Sequence, residues 1–312
     1  MSKVHCLGII VVDVLGRPID RFPGRGELQI FDQLTLNMGG CAANTAAGLA
    51  RLGISTTLFA KVGTDVFGDF AVEFARREGI DVSGLVRAAD THTSASFVMI
   101  SSDGERSFFH TMGGNATLTI DDLDVDKLLA TEFLLVAGTS LMERFDGAET
   151  AEVLARAKAK GVTTIMDTAY NDRITDWLGM VGPSLPHLDY FVPSELEATA
   201  ISGTKDYRAT ARLFRDRGAG AVAIKRGMKG VYVLDADGEF EMPIYEVETV
   251  DATGAGDAWV AGFIAGLVKG WSHAESARFG NAVSAHVVQA VGTTAGYADF
   301  ETVRRFQKKH GK

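Results

Sequence analysis

Across most of its length the chain alternates short apolar runs with helix-forming stretches, and that rhythm admits few folds. Residues 56–62, 133–137, 163–167, 190–192, 221–225 and 231–234 read as strands. Residues 41–52 and 70–78 read as helices closed by Gly53 and Gly79, glycine being the residue that ends a helix in the left-handed conformation. Further helices are expected at 148–160, 255–269 and 273–290. A strand that returns to its sheet through a helix lies parallel to its predecessor, so the repeat specifies an α/β fold. Its mostly parallel sheet carries helices on both faces, and its ligands bind at the carboxyl ends of the strands. The run Cys6-Leu7-Gly8-Ile9-Ile10-Val11-Val12 reads as one doubly buried strand ending at Asp13.

Two blocks break the rhythm. Residues 15–38 alternate polar and apolar side chains between Gly and Pro, as in Glu27-Leu28-Gln29-Ile30-Phe31, which reads as an exposed strand. Residues 94–111 do the same around an Asp103-Gly104 turn, a hairpin signal. The expected organisation is a core of residues 1–14, 39–92 and 115–312, with a small β lid from 15–38 and 93–114.

Composition removes several functions. The formal net charge is −9, with no Lys/Arg stripe to follow a phosphate backbone, so nucleic acid is not an expected partner. No run approaches the roughly 20 apolar residues of a spanning helix, and Asp13 interrupts the first apolar run, so a signal peptide is not expected either. Cys6 and Cys41 read as small buried residues of a reducing compartment, the cytoplasm. The seven histidines form no ligand-spaced cluster, which argues against catalytic zinc. There is no G-x-x-x-x-G-K-[ST] loop, and no G-x-G-x-x-G follows the first strand.

The chemistry concentrates in Asp251-Ala252-Thr253-Gly254-Ala255-Gly256-Asp257, at the entrance of the helix expected at 255–269. Glycines there let backbone amides approach an anion, and the helix dipole adds positive potential. Asp257, in the first turn, can take a hydroxyl proton beside that anion. Phosphoryl transfer asks for such a cradle, a base that orients the nucleophile, and a metal. Alone, the heptapeptide also describes a glycine loop before an ordinary helix with an N-terminal aspartate.

Other segments decide between these readings. The heptapeptide resembles the D-T-T-G-A-G-D signature of the ribokinase/PfkB carbohydrate kinase family. Gly39-Gly40-Cys41-Ala42-Ala43-Asn44-Thr45-Ala46, ending at Ala50-Arg51-Leu52-Gly53, resembles its N-terminal signature, and Lys61-Val62-Gly63-Thr64-Asp65 with Gly68 resembles the usual continuation. The resemblance spans the chain in order. It implies a ribokinase-like fold and an ATP-dependent sugar kinase.

By that resemblance Asp257 is the base, and Gly254, Ala255 and Gly256 form the anion hole. Asp13, Gly39, Gly40 and Asn44 hold sugar hydroxyls; Glu105-Arg106 and Gly113-Gly114-Asn115, by their position at and after the second lid block rather than by the resemblance, are placed to reach the sugar. Lys225, Gly227, Gly230 and Asn281 line the nucleotide site. Glu197 acts on Mg²⁺ through water, with Ser194 where the family usually has asparagine. Asp251 and Thr253 fall where many relatives hold a monovalent cation such as K⁺, with further ligands from residues 288–294. Asp167-Thr168-Ala169-Tyr170-Asn171-Asp172-Arg173, then Trp177, resembles the segment of ketohexose and sugar-acid kinases with its Asn and Arg displaced by two residues, so Arg173 is either a substrate contact or a loop cation. The implied substrate is a fructose-, ribose- or ketodeoxygluconate-like sugar phosphorylated on a primary hydroxyl. A nucleoside kinase and a non-catalytic sugar sensor are the alternatives; intact Asp257 and Gly254-Ala255-Gly256 speak against the sensor. The open apolar face of the lid implies a homodimer through it.

Overall fold

The structure, a computed structural model, describes residues 2–310. Among these, nine strands form one sheet in the order β13-β12-β11-β10-β9-β8-β1-β4-β5. In chain order they are β1 (Val4–Gly8), β4 (Thr56–Gly63), β5 (Asp81–Ala88), β8 (Phe133–Thr139), β9 (Thr163–Thr168), β10 (Tyr190–Phe191), β11 (Ala221–Lys225), β12 (Val231–Leu234) and β13 (Glu239–Met242). From β5 to β11 every pairing is parallel; β12 and β13 add an antiparallel edge. Period-two alternation splits the apolar residues between two cores. Cys6 and Ala223 face one, Leu7, Val222 and Ile224 the other, as a sheet covered on both faces requires.

The helix Ala255–Val268 is apolar almost all round because it packs against both the helix Cys41–Arg51 and the helix His273–Val287 within one core. A Cβ at Gly262 would come within 2.7 Å of Gly280 Cα, so two glycines allow the backbones to cross closely. Glu195–Ser202, Tyr207–Asp216 and Phe300–His310 add helices that the apolar pattern alone did not announce. Among the described residues no helix is long and apolar enough to cross a membrane.

Four strands form the separate small sheet, ordered β3-β2-β6-β7: β2 (Val11–Arg17), β3 (Gln33–Gly39), β6 (Ala95–Ile100) and β7 (Arg106–Thr111). As expected, β6 and β7 form an antiparallel hairpin around the Asp103-Gly104 turn, and β6 pairs with β2. Two expectations need correction. The run 6–12 is two strands, so the lid begins at Val11 and ends its first insert at Gly39, rather than covering 15–38. Gly8, at φ 149°, turns the chain out of the large sheet, where a Cβ would stand 1.9 Å from Ala137 O. Ile9 and Ile10 stay apolar because the crossing between the sheets is itself buried. Residues 27–31 form no strand; they belong to an exposed connection between β2 and β3. The outermost expected limits of the core, residues 1 and 312, lie outside the described residues.

Candidate active site

β1 lies between β4 and β8, and the chain leaves it in one direction for β4 and later in the other for β8. That is the switch point where an open α/β sheet leaves a crevice at its carboxyl edge. Along the same carboxyl edge, beyond β8, a cavity of about 520 Å³ is lined by residues at and after the ends of β9, β10 and β11 and by the start of the helix Ala255–Val268.

Gly254 caps that helix in the left-handed conformation, φ 78°, seated against Thr293 so that a Cβ would be 3.0 Å from Thr293 O. The turn places Ala255, Gly256 and Asp257 in the first helical turn, where amides have no acceptor within the helix. The Ala255 amide is spent, donating to Ala252 O at 3.2 Å. Asp257 is reached from across the fold: Asn44 Nδ2, in the helix Cys41–Arg51, donates to Asp257 Oδ2 at 2.8 Å. Removal from water pushes Asp257 up to about 6, against the pull of Asn44 and the Lys225 ammonium.

Lys225 is not simply part of a nucleotide-lining turn. At the carboxyl end of β11 its Nζ lies 2.5 Å from Asp167 Oδ2, at the end of β9, and would be 3.6 Å from a Cβ on Gly256. Burial opposes its charge, but Asp167, Glu197 and Asp257 outweigh that and hold the ammonium above its ordinary value. Asp167 thus belongs to the site, a role the sequence did not assign it although it opens the segment quoted for the sugar-acid kinases; its place at a strand's carboxyl end was the further signal. Glu197 is buried, not a solvated helix carboxylate. Ser194 N–H donates to Glu197 Oε2 at 2.7 Å and Glu197 N–H to Ser194 Oγ at 3.3 Å, a capping box that starts the helix Glu195–Ser202. Thr168 Oγ1 donates to the same Glu197 oxygen at 3.0 Å.

On the substrate side, Asp13 lies in β2 opposite Ser96 of β6 and packs against Gly39, where a Cβ would stand 2.4 Å from Asp13 Oδ2. Gly40, at φ 96°, caps the helix Cys41–Arg51 and has its backbone against Ile9. Asn44 Oδ1 is buried with no partner among the described residues. One assignment does not fit. Asn115 Oδ1 accepts from Ile10 N–H at 3.2 Å and its Nδ2 donates to Ile10 O at 3.1 Å, so its amide fastens the crossing from β1 to β2 rather than facing a ligand. Arg173 is exposed and its backbone N–H donates to Asn171 Oδ1; like Asp13, Gly39, Gly40 and Asn44 it does not line the cavity.

On the nucleotide side, Gly227, Gly230 and Asn281 all line the cavity. Gly230, φ 82°, abuts the end of β13, where a Cβ would be 2.1 Å from Met242 O, and Asn281 Nδ2 donates to Met242 O and to Pro243 O at 2.7 Å. Asp251 and Thr253 meet the lid: Arg106 Nη2 lies 2.5 Å from Asp251 Oδ2, and Nη1 donates to Thr253 Oγ1. Among the described residues no group of three or more His, Cys, Asp or Glu could hold a metal unaided.

A buried carboxylate in the first turn of a helix, at the carboxyl edge of such a sheet that also carries a small β sheet, is an arrangement that suits phosphoryl transfer to a small hydroxyl compound. The profile described as pfkB family carbohydrate kinase matches residues 1–299, and the chain belongs to that family, whose members are ATP-using sugar kinases. It is 31% identical over 287 residues to a 5-dehydro-2-deoxygluconokinase of Clostridium perfringens, covering 87% of this chain and 84% of that one. A ribokinase of Staphylococcus aureus is 28% identical over 317 residues, 97% of this chain and 99% of the other. The structure of an Arabidopsis thaliana ribokinase complexed with ribose and ATP superposes with a TM-score of 0.87 at 25% identity, over 98% and 99% of the two chains.

Proposed function

We propose that the chain transfers the γ-phosphoryl group of ATP to a primary hydroxyl of a small keto sugar or keto sugar acid, with Asp257 as the base. The observation that carries this reading is the Asp257 carboxylate in the first turn behind Gly254, with one oxygen held by Asn44 and its affinity for protons raised to about 6. With Oδ2 engaged, Oδ1 remains to accept the proton of the attacking hydroxyl. The unpartnered Asn44 Oδ1 and the Asp13 carboxylate are the acceptors for neighbouring hydroxyls. The amides of Gly256 and Asp257 steady the transferred group, beside the fixed Lys225 ammonium.

The nucleotide is assigned to the cavity's other end, where Val231, Ile244, Val247 and Val288 offer an apolar wall for its base next to Gly227, Gly230 and Asn281. Glu197 suits Mg²⁺ by its donor type: a buried carboxylate that lines the cavity, with one oxygen already oriented. It would hold the ion's water shell, the remaining ligands coming from phosphate and water, the usual arrangement for this ion. Bound there, Mg²⁺ supplies neutralisation of the β- and γ-phosphate charge. A homodimer through the lid, whose Leu28 and Ile30 are 86% and 83% exposed, belongs to the same proposal. So does a cytoplasmic location, which suits the free thiols of Cys6 and Cys41.

The keto sugar acid is preferred because the kinase that is 31% identical is named for one. The test is ATP turnover with fructose, ribose, 2-keto-3-deoxygluconate, 5-keto-2-deoxygluconate and adenosine at equal concentration. A keto acid should lead and adenosine should be inert. Turnover of adenosine with all sugars inert would move the chain to nucleosides.

A further inference from the structure

Asp251 and Thr253, expected to hold a monovalent cation, meet a cation that belongs to the chain itself. Arg106 opens β7 in the lid, 145 residues away in sequence, and donates through Nη2 to Asp251 Oδ2 at 2.5 Å and through Nη1 to Thr253 Oγ1. The rest of the carboxylate is engaged as well: Gly292 N–H donates to Oδ2 at 2.7 Å and Thr253 N–H to Oδ1 at 2.9 Å. The Asp251 side chain is 4% exposed and that of Arg106 18%. A second positive ion on these oxygens would have to displace the guanidinium, because like charges at contact distance in a shielded site repel strongly. The residues present therefore do not fit K⁺ alongside Arg106.

We infer that Arg106 is the resident cation of the anion loop, so that transfer needs no monovalent ion and lid closure completes the cradle. Asp251 ties its own segment to Gly292, next to Thr293, against which Gly254 is seated. The left-handed turn at Gly254 in turn delivers Gly256 and Asp257. A buried carboxylate stripped of its counter-charge is costly, so Asp251 holds these segments in register only while a cation is present. Here the cation rides on the lid and is withdrawn when the lid lifts. Arg106 is accordingly a positioning residue that acts through the loop. The inference rests on the reading of Asp257 and Gly254 proposed above.

The test compares wild type, Arg106→Ala and Arg106→Lys in K⁺ and in tetramethylammonium at matched ionic strength. Wild type should turn over equally in both. Arg106→Ala should lose kcat by about tenfold to a hundredfold in tetramethylammonium, the scale of a misplaced cradle, and recover a large part of it in K⁺. Arg106→Lys keeps the charge without the fork; it should lose less and ignore K⁺. Melting temperature supplies a readout free of turnover, since an ion that binds the native state stabilises it: K⁺ should raise that of Arg106→Ala relative to tetramethylammonium and leave wild type unchanged. Activation of wild type by K⁺ overturns the inference. So does an Arg106→Ala enzyme without K⁺ response, whether fully active or altered only in sugar KM. Failure of the kinase reading would instead leave wild type without sugar turnover while the melting comparison still reports on Asp251.

Discussion

Asp257 sits where burial and hydrogen bonding pull in opposite directions. Loss of water favours the protonated acid; the Asn44 amide and the Lys225 ammonium favour the carboxylate, and the outcome is a group pushed up to about 6. A base works only while ionised, so kcat/KM for the sugar should fall as pH drops through about 6, by about tenfold per pH unit below it. A rate profile that stays flat down to about pH 5, where most of this carboxylate would be protonated, would contradict the assignment. The motif residues were legible because their backbone demands are strict: Gly254 needs a left-handed turn and Gly40 lies against Ile9. Arg106 was legible as a lid residue within reach of the sugar, but not as the partner of Asp251 and Thr253. Its partner is 145 residues away, and no local pattern specifies which carboxylate a long cationic side chain will find.

Elements show a similar division. The central strands and the helix Ala255–Val268 could be read because their apolar residues recur with the period of the structure they form. The break between β1 and β2 could not, because a crossing buried between two sheets is as apolar as a strand. Asn115 supplies the polar partners that this crossing needs, bonding both backbone groups of Ile10. Asn115→Leu should therefore destabilise the fold by about 1–3 kcal/mol for each buried backbone group left unpaired, with sugar KM unchanged in the folded fraction. Melting and KM measured together decide: a raised KM with unchanged stability would return Asn115 to the substrate site. Similarly, Asp65 in the Lys61-Val62-Gly63-Thr64-Asp65 stretch caps the helix Val66–Arg77 through Gly68 N–H and also accepts from Thr93, a structural use of a motif quoted for its family resemblance.

At the scale of the whole molecule, the lid joins two questions, closure and assembly. Its strand β3 is a sheet edge with Leu34 and Leu36 exposed, and the connection before it exposes Leu28 and Ile30. Apolar edges of this kind invite pairing with another chain. Ile30→Lys with Leu34→Lys should shift the protein from dimer to monomer in light scattering and raise sugar KM more than it lowers the melting temperature. A wild type that is monomeric at micromolar concentration with ordinary sugar affinity would remove the dimer and leave the chemistry untouched. The proposed chemistry rests on the Asp257 carboxylate, and the direct measurement is sugar-dependent ADP release by Asp257→Asn, with nucleotide binding as the control for folding. The variant keeps the side chain's size and an oxygen for Asn44 to bond but cannot take the proton, so turnover should fall by about 10²–10⁴ with nucleotide affinity largely kept. Turnover within about threefold of wild type, a difference too small for a lost base, would contradict it.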